Sequence, residues 1–421
     1  MKVRTLKKIK INPISLILLK IVVMGLIGIP FAYLLDKEGY FFYLTRNLAN
    51  KNFITFSYFY TLYAFFVIVA LYYGLGLKRK INAYMTKNIV HLKKHHYELV
   101  WLITFVFALV CFAYIFVQAG GIHPALEAFR SDYSGIKVLR HNISLAVNMN
   151  IYNIGFKFFL PLNIIVALFF LRRRLLILIS LLLFALMSTF ILEKGPILST
   201  IILIVFFRML ISEIPFKKLL YYGFISLFLI SVMYFLTKFA TSVPSLFAGI
   251  TKRIFYGQIS DLPYYFELFS KYKISFSALL PPYITNLFGI ENIKSSSQLI
   301  MEHINPVAAS EGTAGVANSF FVGEAYAAAG HIGVILSPFI VMANLAFFVY
   351  FFSGLKKNIF FVFLFSWFLF KTFNGIFGGI SYFTFSALHI ILLSLFYYLF
   401  SYAFVKNAKK LKKKLIIEEN I

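Results

Sequence analysis

The sequence predicts an all-α fold: a polytopic membrane protein of about ten transmembrane helices, with two large loops on the outer side. Three observations predict it. The 421-residue chain is 61% apolar and only 13% charged, with a mean hydropathy of +0.83. That leaves too little polar surface to clothe a soluble protein of this length. The apolar residues fall into runs near the roughly 20 residues a helix needs to cross hydrocarbon. Finally, Lys and Arg gather in short blocks between the runs, the pattern of loops that stay on the cytoplasmic side.

Along the chain, the candidate spans are 14–35, 53–77, 98–119, 155–171, 175–192, 197–211, 219–237, 331–354, 358–375 and 381–404. Two of them, 155–171 and 197–211, are short for a full crossing. The first run carries no small-residue cleavage site after it and is read as a retained helix. The basic blocks are MKVRTLKKIK at the start, KRK at 78–80, KKHH at 93–96, RRR at 172–174, FKK at 216–218, KK at 356–357 and KNAKKLKKK near the end. Placing the N-terminus inside puts every block on the cytoplasmic side, and both termini with them. The net charge of +26 therefore reads as membrane topology, not as a nucleic-acid surface. The one cysteine, Cys111, lies within an apolar run and forms no intrachain disulfide.

The outer loops are then about 120–154 and 238–314. Within the second, SLFAGITKRIFYG (245–257) places Leu246, Ile250 and Ile254 on one helical face, the spacing of a helix lying on the membrane interface. The stretch GTAGVANSFFVGEAYAAAGHIGVILSPFIV (312–341) starts as a loop and ends as a span. Residues 315–330 read as a short or re-entrant helix, tolerated at membrane depth only where it lines a cavity. On it sits a lone carboxylate, Glu324, and just beyond it a lone imidazole, His331.

Outer-side groups that could carry chemistry are mixed. The first loop has His123, Glu127, Arg130, Asp132, Arg140 and His141. The second has Lys238, Lys252, Arg253, Asp261, Glu267, Glu302, His303 and Glu311. Lys157, Lys194 and Lys371 sit near the outer ends of spans. Most loop charges in proteins are simply solvated, and lysines near helix ends snorkel. Glu193 and Lys194 stand out because they interrupt a long apolar stretch just before the helix-breaking Gly195–Pro196. They read either as a locally paired turn or as a cation facing an anionic group. His91, His95 and His96 lie in a basic loop without cysteine, which disfavours a divalent metal. No nucleotide-binding glycine motif is present, so no energy-coupling nucleotide site is visible.

The 312–341 stretch resembles the late segment of O-antigen polymerases of the Wzy type. These carry a small-residue run, a Gly-acidic-x-Tyr step and a Gly-x-x-Gly opening of the next span. EKGP at 193–196 resembles the family's polar turn, with Lys194 where arginine is commoner. The resemblance implies a glycosyltransferase that needs no metal and no cofactor, in the bacterial inner membrane. It would join undecaprenyl-diphosphate-linked oligosaccharide repeat units on the outer face, with a chain-length regulator protein as a partner. Arg130, Arg140, Lys194 and Arg253 would then hold diphosphate or glycan, and Glu324, His303 or Glu311 would take the acceptor's proton. O-antigen ligases share much of this layout, and a lipid-linked oligosaccharide flippase is the third reading.

Overall fold

A computed structural model describes residues 11–31, 52–131, 133–191, 195–212, 214–236, 242–255, 257–280, 288–290, 294–310 and 317–384. Every regular element among them is a helix. The long ones are α1 (Pro13–Phe31), α2 (Asn52–Gly74), α4 (Lys94–Gln118), α7 (Met149–Leu171) and α15 (Phe321–Gly354), each long and apolar enough to cross a membrane. Shorter apolar helices are α8 (Arg174–Phe190), α9 (Gly195–Ile211) and α16 (Ile359–Gly375). A further 21-residue apolar helix, α10, covers Phe216–Leu236. The chain is a helical membrane protein.

Local chemistry sets the ends. Asn12 caps α1, accepting from the Ser15 N–H at 3.0 Å, and Pro13 occupies the first turn, where its missing N–H is harmless. After α2 the chain turns at Gly76, φ 65°, into α3 (Leu77–Thr86), which carries the KRK block. Arg172, φ 56°, ends α7 at the RRR block. Lys357 is buried and donates to the Met85 and Lys87 carbonyls at 2.9 and 2.8 Å, tying α3 to the turn between α15 and α16. The basic blocks KRK, RRR and KK therefore end α2, α7 and α15, and that side is called the basic end below.

The sequence bounded the first outer loop at 154. Helix α7 instead begins at Met149, because the Asn148 side chain accepts from the N–H groups of Asn150 and Ile151. The span that looked short from 155 is thus 23 residues long. Within 120–148 lie α5 (Pro124–Arg130) and α6 (Tyr133–Ala146). The second loop contains α11 (Val243–Phe255), α12 (Leu262–Phe269), α13 (Ser296–Ile304) and α14 (Pro306–Ser310). The apolar face expected on 245–257 is turned at least partly onto protein: Leu246 is buried, and the Phe255 ring lies 5.2 Å from that of Phe31 on α1. Phe247 and Val243 remain exposed.

Buried side chains form two clusters. The larger joins α1, α2, α3, α9, α12, α15 and α16; the smaller joins α4, α5, α6, α7 and α8. Near the basic end, α4 and α7 contribute Trp101, Ile165 and Val166 to the larger cluster. Toward the far end they contribute Ile115, Tyr152 and Phe156 to the smaller one. A buried polar network stitches α4, α7 and α8. Asn163 donates to the Trp101 carbonyl at 2.7 Å and accepts from the Ser180 hydroxyl at 2.6 Å, while Trp101 Nε1 donates to that hydroxyl at 3.0 Å. Such interhelical bonds contribute about 0.6 kcal/mol each in membranes, up to about 1.7.

Candidate functional site

The far end of α15 is bent back on itself. Gly330 has φ 62° and ψ −144°, a backbone region open only to glycine, and it separates a half-helix at 321–329 from the long helix that follows. The fold-back is close: a Cβ added at Gly333 would lie 2.1 Å from the Ala325 carbonyl oxygen. In a straight helix these positions would be about two turns apart. The half-helix is anchored from outside α15. Phe321 N–H donates to the Ile376 carbonyl at 3.0 Å, and Ile274 N–H to that of Ala327 at 3.0 Å.

Glu324 lies in the first turn of this half-helix, 7% exposed. A carboxylate that deep needs hydrogen bonds. The N–H of Ser381, at the start of α17 (Ser381–Thr384), donates to its Oε2 at 2.8 Å. Gly379, φ 123°, presses its backbone on the carboxylate; a Cβ there would meet Oε2 at 2.4 Å. Tyr265 of α12 and Ser296 at the start of α13 complete the surround, both buried. Burial, then the neighbouring Glu324 charge, pushes the Tyr265 phenol up, so it remains a neutral donor. The Ser296 hydroxyl lies beside both groups as a hydrogen-bonding neighbour of each, although neither contact reaches full hydrogen-bond geometry. A carboxylate, a phenol and a hydroxyl thus converge in one buried setting. Asp261 supports the rim by accepting from the Asn318 N–H at 3.0 Å.

At the bend itself, the Tyr60 hydroxyl of α2 meets His331 Nδ1 at 2.5 Å, and the Tyr326 and His331 rings are 5.3 Å apart. Lys273 lies over the Tyr326 ring at 4.0 Å and donates to the Phe269 carbonyl at 2.6 Å. His331 is thus tied to an aromatic wall beside the half-helix.

The other expected residues are dispersed. His303 lies on α13 but on its exposed side, its ring 6.4 Å from that of Tyr264. Arg140 is exposed on α6, and Arg130 ends α5, both in the smaller helix group. Arg253 lies on α11. Glu311 and Lys194 lie outside the described residues. Of the two candidate bases among the described residues, Glu324 and His303, Glu324 alone is surrounded by buried polar groups. Sequence reasoning missed Tyr265, Ser296, Gly379 and Ser381. A serine or tyrosine in a polar loop carries no mark of its own; only GGIS at 378–381, small residues beside a span, hinted at a turn. Among the described residues no three His, Cys, Asp or Glu converge as an ion site. No family model, no curated protein and no solved structure matches the chain.

Proposed function

We propose that this protein polymerises lipid-diphosphate-linked oligosaccharide repeat units at the outer face of the bacterial inner membrane, with ten spans and both termini cytoplasmic. The observation that carries the reading is the surround of Glu324: a buried carboxylate oriented by the Ser381 N–H and flanked by the Ser296 hydroxyl and a neutral phenol, at the end remote from the basic blocks. An acceptor sugar hydroxyl entering it would give its proton to Glu324 as its oxygen attacks the donor's anomeric carbon. The bond from that carbon to the diphosphate breaks, and undecaprenyl diphosphate leaves with the electron pair. The diphosphate is already a good leaving group, so no nucleotide is consumed. Ser296 and Tyr265 would hold the acceptor oxygens. Substrate would enter by movement of the Gly375–Ile380 turn, whose Gly378 is exposed. The outer arginines Arg130, Arg140 and Arg253, with Lys194, would hold diphosphate or glycan.

Deletion of the gene tests the reading. The surface polysaccharide ladder should collapse to a single repeat still attached to its carrier. Loss of the single repeat as well would point to a flippase or a ligase instead. The flippase is the second reading, and it has an observation of its own. Lys20 is buried within α1, donating to the Phe373 carbonyl at 2.7 Å, and α15 is broken at Gly330. Intramembrane charges and discontinuous helices are features of transporters.

Orientation is tested separately by cysteine labelling in a Cys111→Ser background. Ser296 is buried and unsuited to a probe; Ser275 and Asn88 are both exposed. An impermeant maleimide added to intact cells should modify Ser275→Cys and not Asn88→Cys. The reverse pattern would invert the sidedness.

A further inference from the structure

We propose that Lys20 is a positioning residue for Glu324: its ammonium completes the end of α16 and so fixes the turn that presents the Ser381 N–H to the carboxylate. Lys20 is buried in α1, and its Nζ donates to the Phe373 carbonyl at 2.7 Å. The last carbonyls of a helix have no N–H of a next turn to meet them. At the end of α16 the turn itself meets most of them. Ile376 N–H donates to the Thr372 carbonyl at 3.1 Å, Phe377 N–H to that of Asn374 at 3.2 Å, and the Gly378 and Gly379 N–H groups to that of Gly375 at 2.9 and 3.2 Å. The Phe373 carbonyl lies between these, and Lys20 takes it. A cation there also suits the negative end of the helix dipole. The same ammonium lies 4.3 Å from the ring centre of Phe373 and 5.2 Å from that of Phe377.

From that grip the contacts lead directly to Glu324. The Phe377 ring lies 5.4 Å from that of Phe320, at the head of the half-helix. The Ile376 carbonyl accepts from the Phe321 N–H at 3.0 Å. Gly379 then lies against the carboxylate, and Ser381 N–H donates to it at 2.8 Å. Lys20 thus acts on one end of a turn whose other end orients Glu324. Helix α1 is itself held. Beyond Lys20 it winds as a π-helix over Ile21–Ile27, a form frequent at functional positions. At Gly28 its backbone comes so close to the Phe255 carbonyl of α11 that a Cβ would not fit. The residue type carries the argument further. Lys20 lies roughly 10 Å along a membrane-crossing helix at 1.5 Å per residue. An ammonium there is costly, and a methionine of similar length is not. Packing alone does not ask for lysine; a donor for the Phe373 carbonyl does.

The inference rests on the reading of Glu324 as the acceptor's base, and its test separates the two. Purified full-length protein in nanodiscs is treated with dicyclohexylcarbodiimide as wild type, Lys20→Met and Lys20→Gln. The adduct at Glu324 is followed by peptide mass spectrometry, with Glu324→Gln as the blank. Loosening the turn should speed labelling of Glu324 about ten- to a hundredfold in both variants, the effect of losing one charge-assisted hydrogen bond. Chain growth should fall by a similar factor in kcat with KM little changed, while the thermal midpoint stays level or rises. Faster labelling with normal chain growth would uphold the placement of Lys20 and sink the base reading. Unchanged labelling in a folded variant overturns the inference, and loss of chain growth in Glu324→Gln alone would leave the base reading standing without it. A midpoint lowered in both variants, or loss of both from the membrane, makes Lys20 structural and overturns the inference too. Glutamine keeps the site polar, so failure of Lys20→Met to fold leaves Lys20→Gln decisive.

Discussion

Glu324→Gln is expected to reduce polysaccharide chain growth by about 10²–10⁴-fold, the usual contribution of a positioned general base. The change suits the pocket. Glutamine has nearly the same shape, and its amide oxygen can still accept from the Ser381 N–H at 2.8 Å. The pressing contact with Gly379 is kept as well. What disappears is the capacity to take a proton. The protein should therefore reach the membrane at wild-type level while the surface ladder contracts to a single repeat. If the proposed reaction holds, purified protein acting on lipid-linked repeats should show the loss in kcat and not chiefly in KM, since binding groups are untouched. A wild-type ladder from Glu324→Gln would remove Glu324 from the chemistry and return the question to His303 and Glu311. Loss of the protein itself would mark Glu324 as a structural carboxylate.

Gly333→Ala should be the most damaging single-methyl change in the far half of α15. In a plain helix the substitution is favourable by about 1 kcal/mol. Here the new Cβ would lie 2.1 Å from the Ala325 oxygen and 2.8 Å from its carbon, both backbone atoms with no rotamer to move. The half-helix must then swing away from the long helix, carrying Glu324 off the Ser381 N–H. Overpacking of this kind costs about 1–3 kcal/mol, and more where backbone is struck. Thermal unfolding followed by size-exclusion fluorescence should show a lowered midpoint, and the ladder should shorten. Gly223→Ala on α10 is the matched control, because nothing lies within 4 Å of its added Cβ. It should be neutral or slightly stabilising. A Gly333→Ala protein as stable and active as the wild type would mean that the bend at Gly330 does not position Glu324.

Particular residues show what could be read early. Glu324 was legible because a lone carboxylate in an apolar, small-residue run is expensive and invites a reason. The glycines at 330 and 333 were visible as punctuation, but their separate roles were not. One supplies a positive φ and the other a close approach, and only the folded chain distinguishes them. The α7 span was legible from 155 onward, and its first turn was not, since MNIYN reads as polar loop until Tyr152 is seen buried.

The sequence by itself determined that this is a helical membrane protein, where most of its helices run and which of their ends carry the basic blocks. Those properties follow from the transfer of each short segment between water and hydrocarbon, and a segment's own composition sets that free energy. Only the tertiary structure decided that Glu324 meets Ser381, 57 residues away, and Tyr265 and Ser296 from a different loop. Hydrogen bonds between distant segments leave no periodicity behind them. They form where packing brings unsatisfied groups together, and packing depends on the whole chain at once.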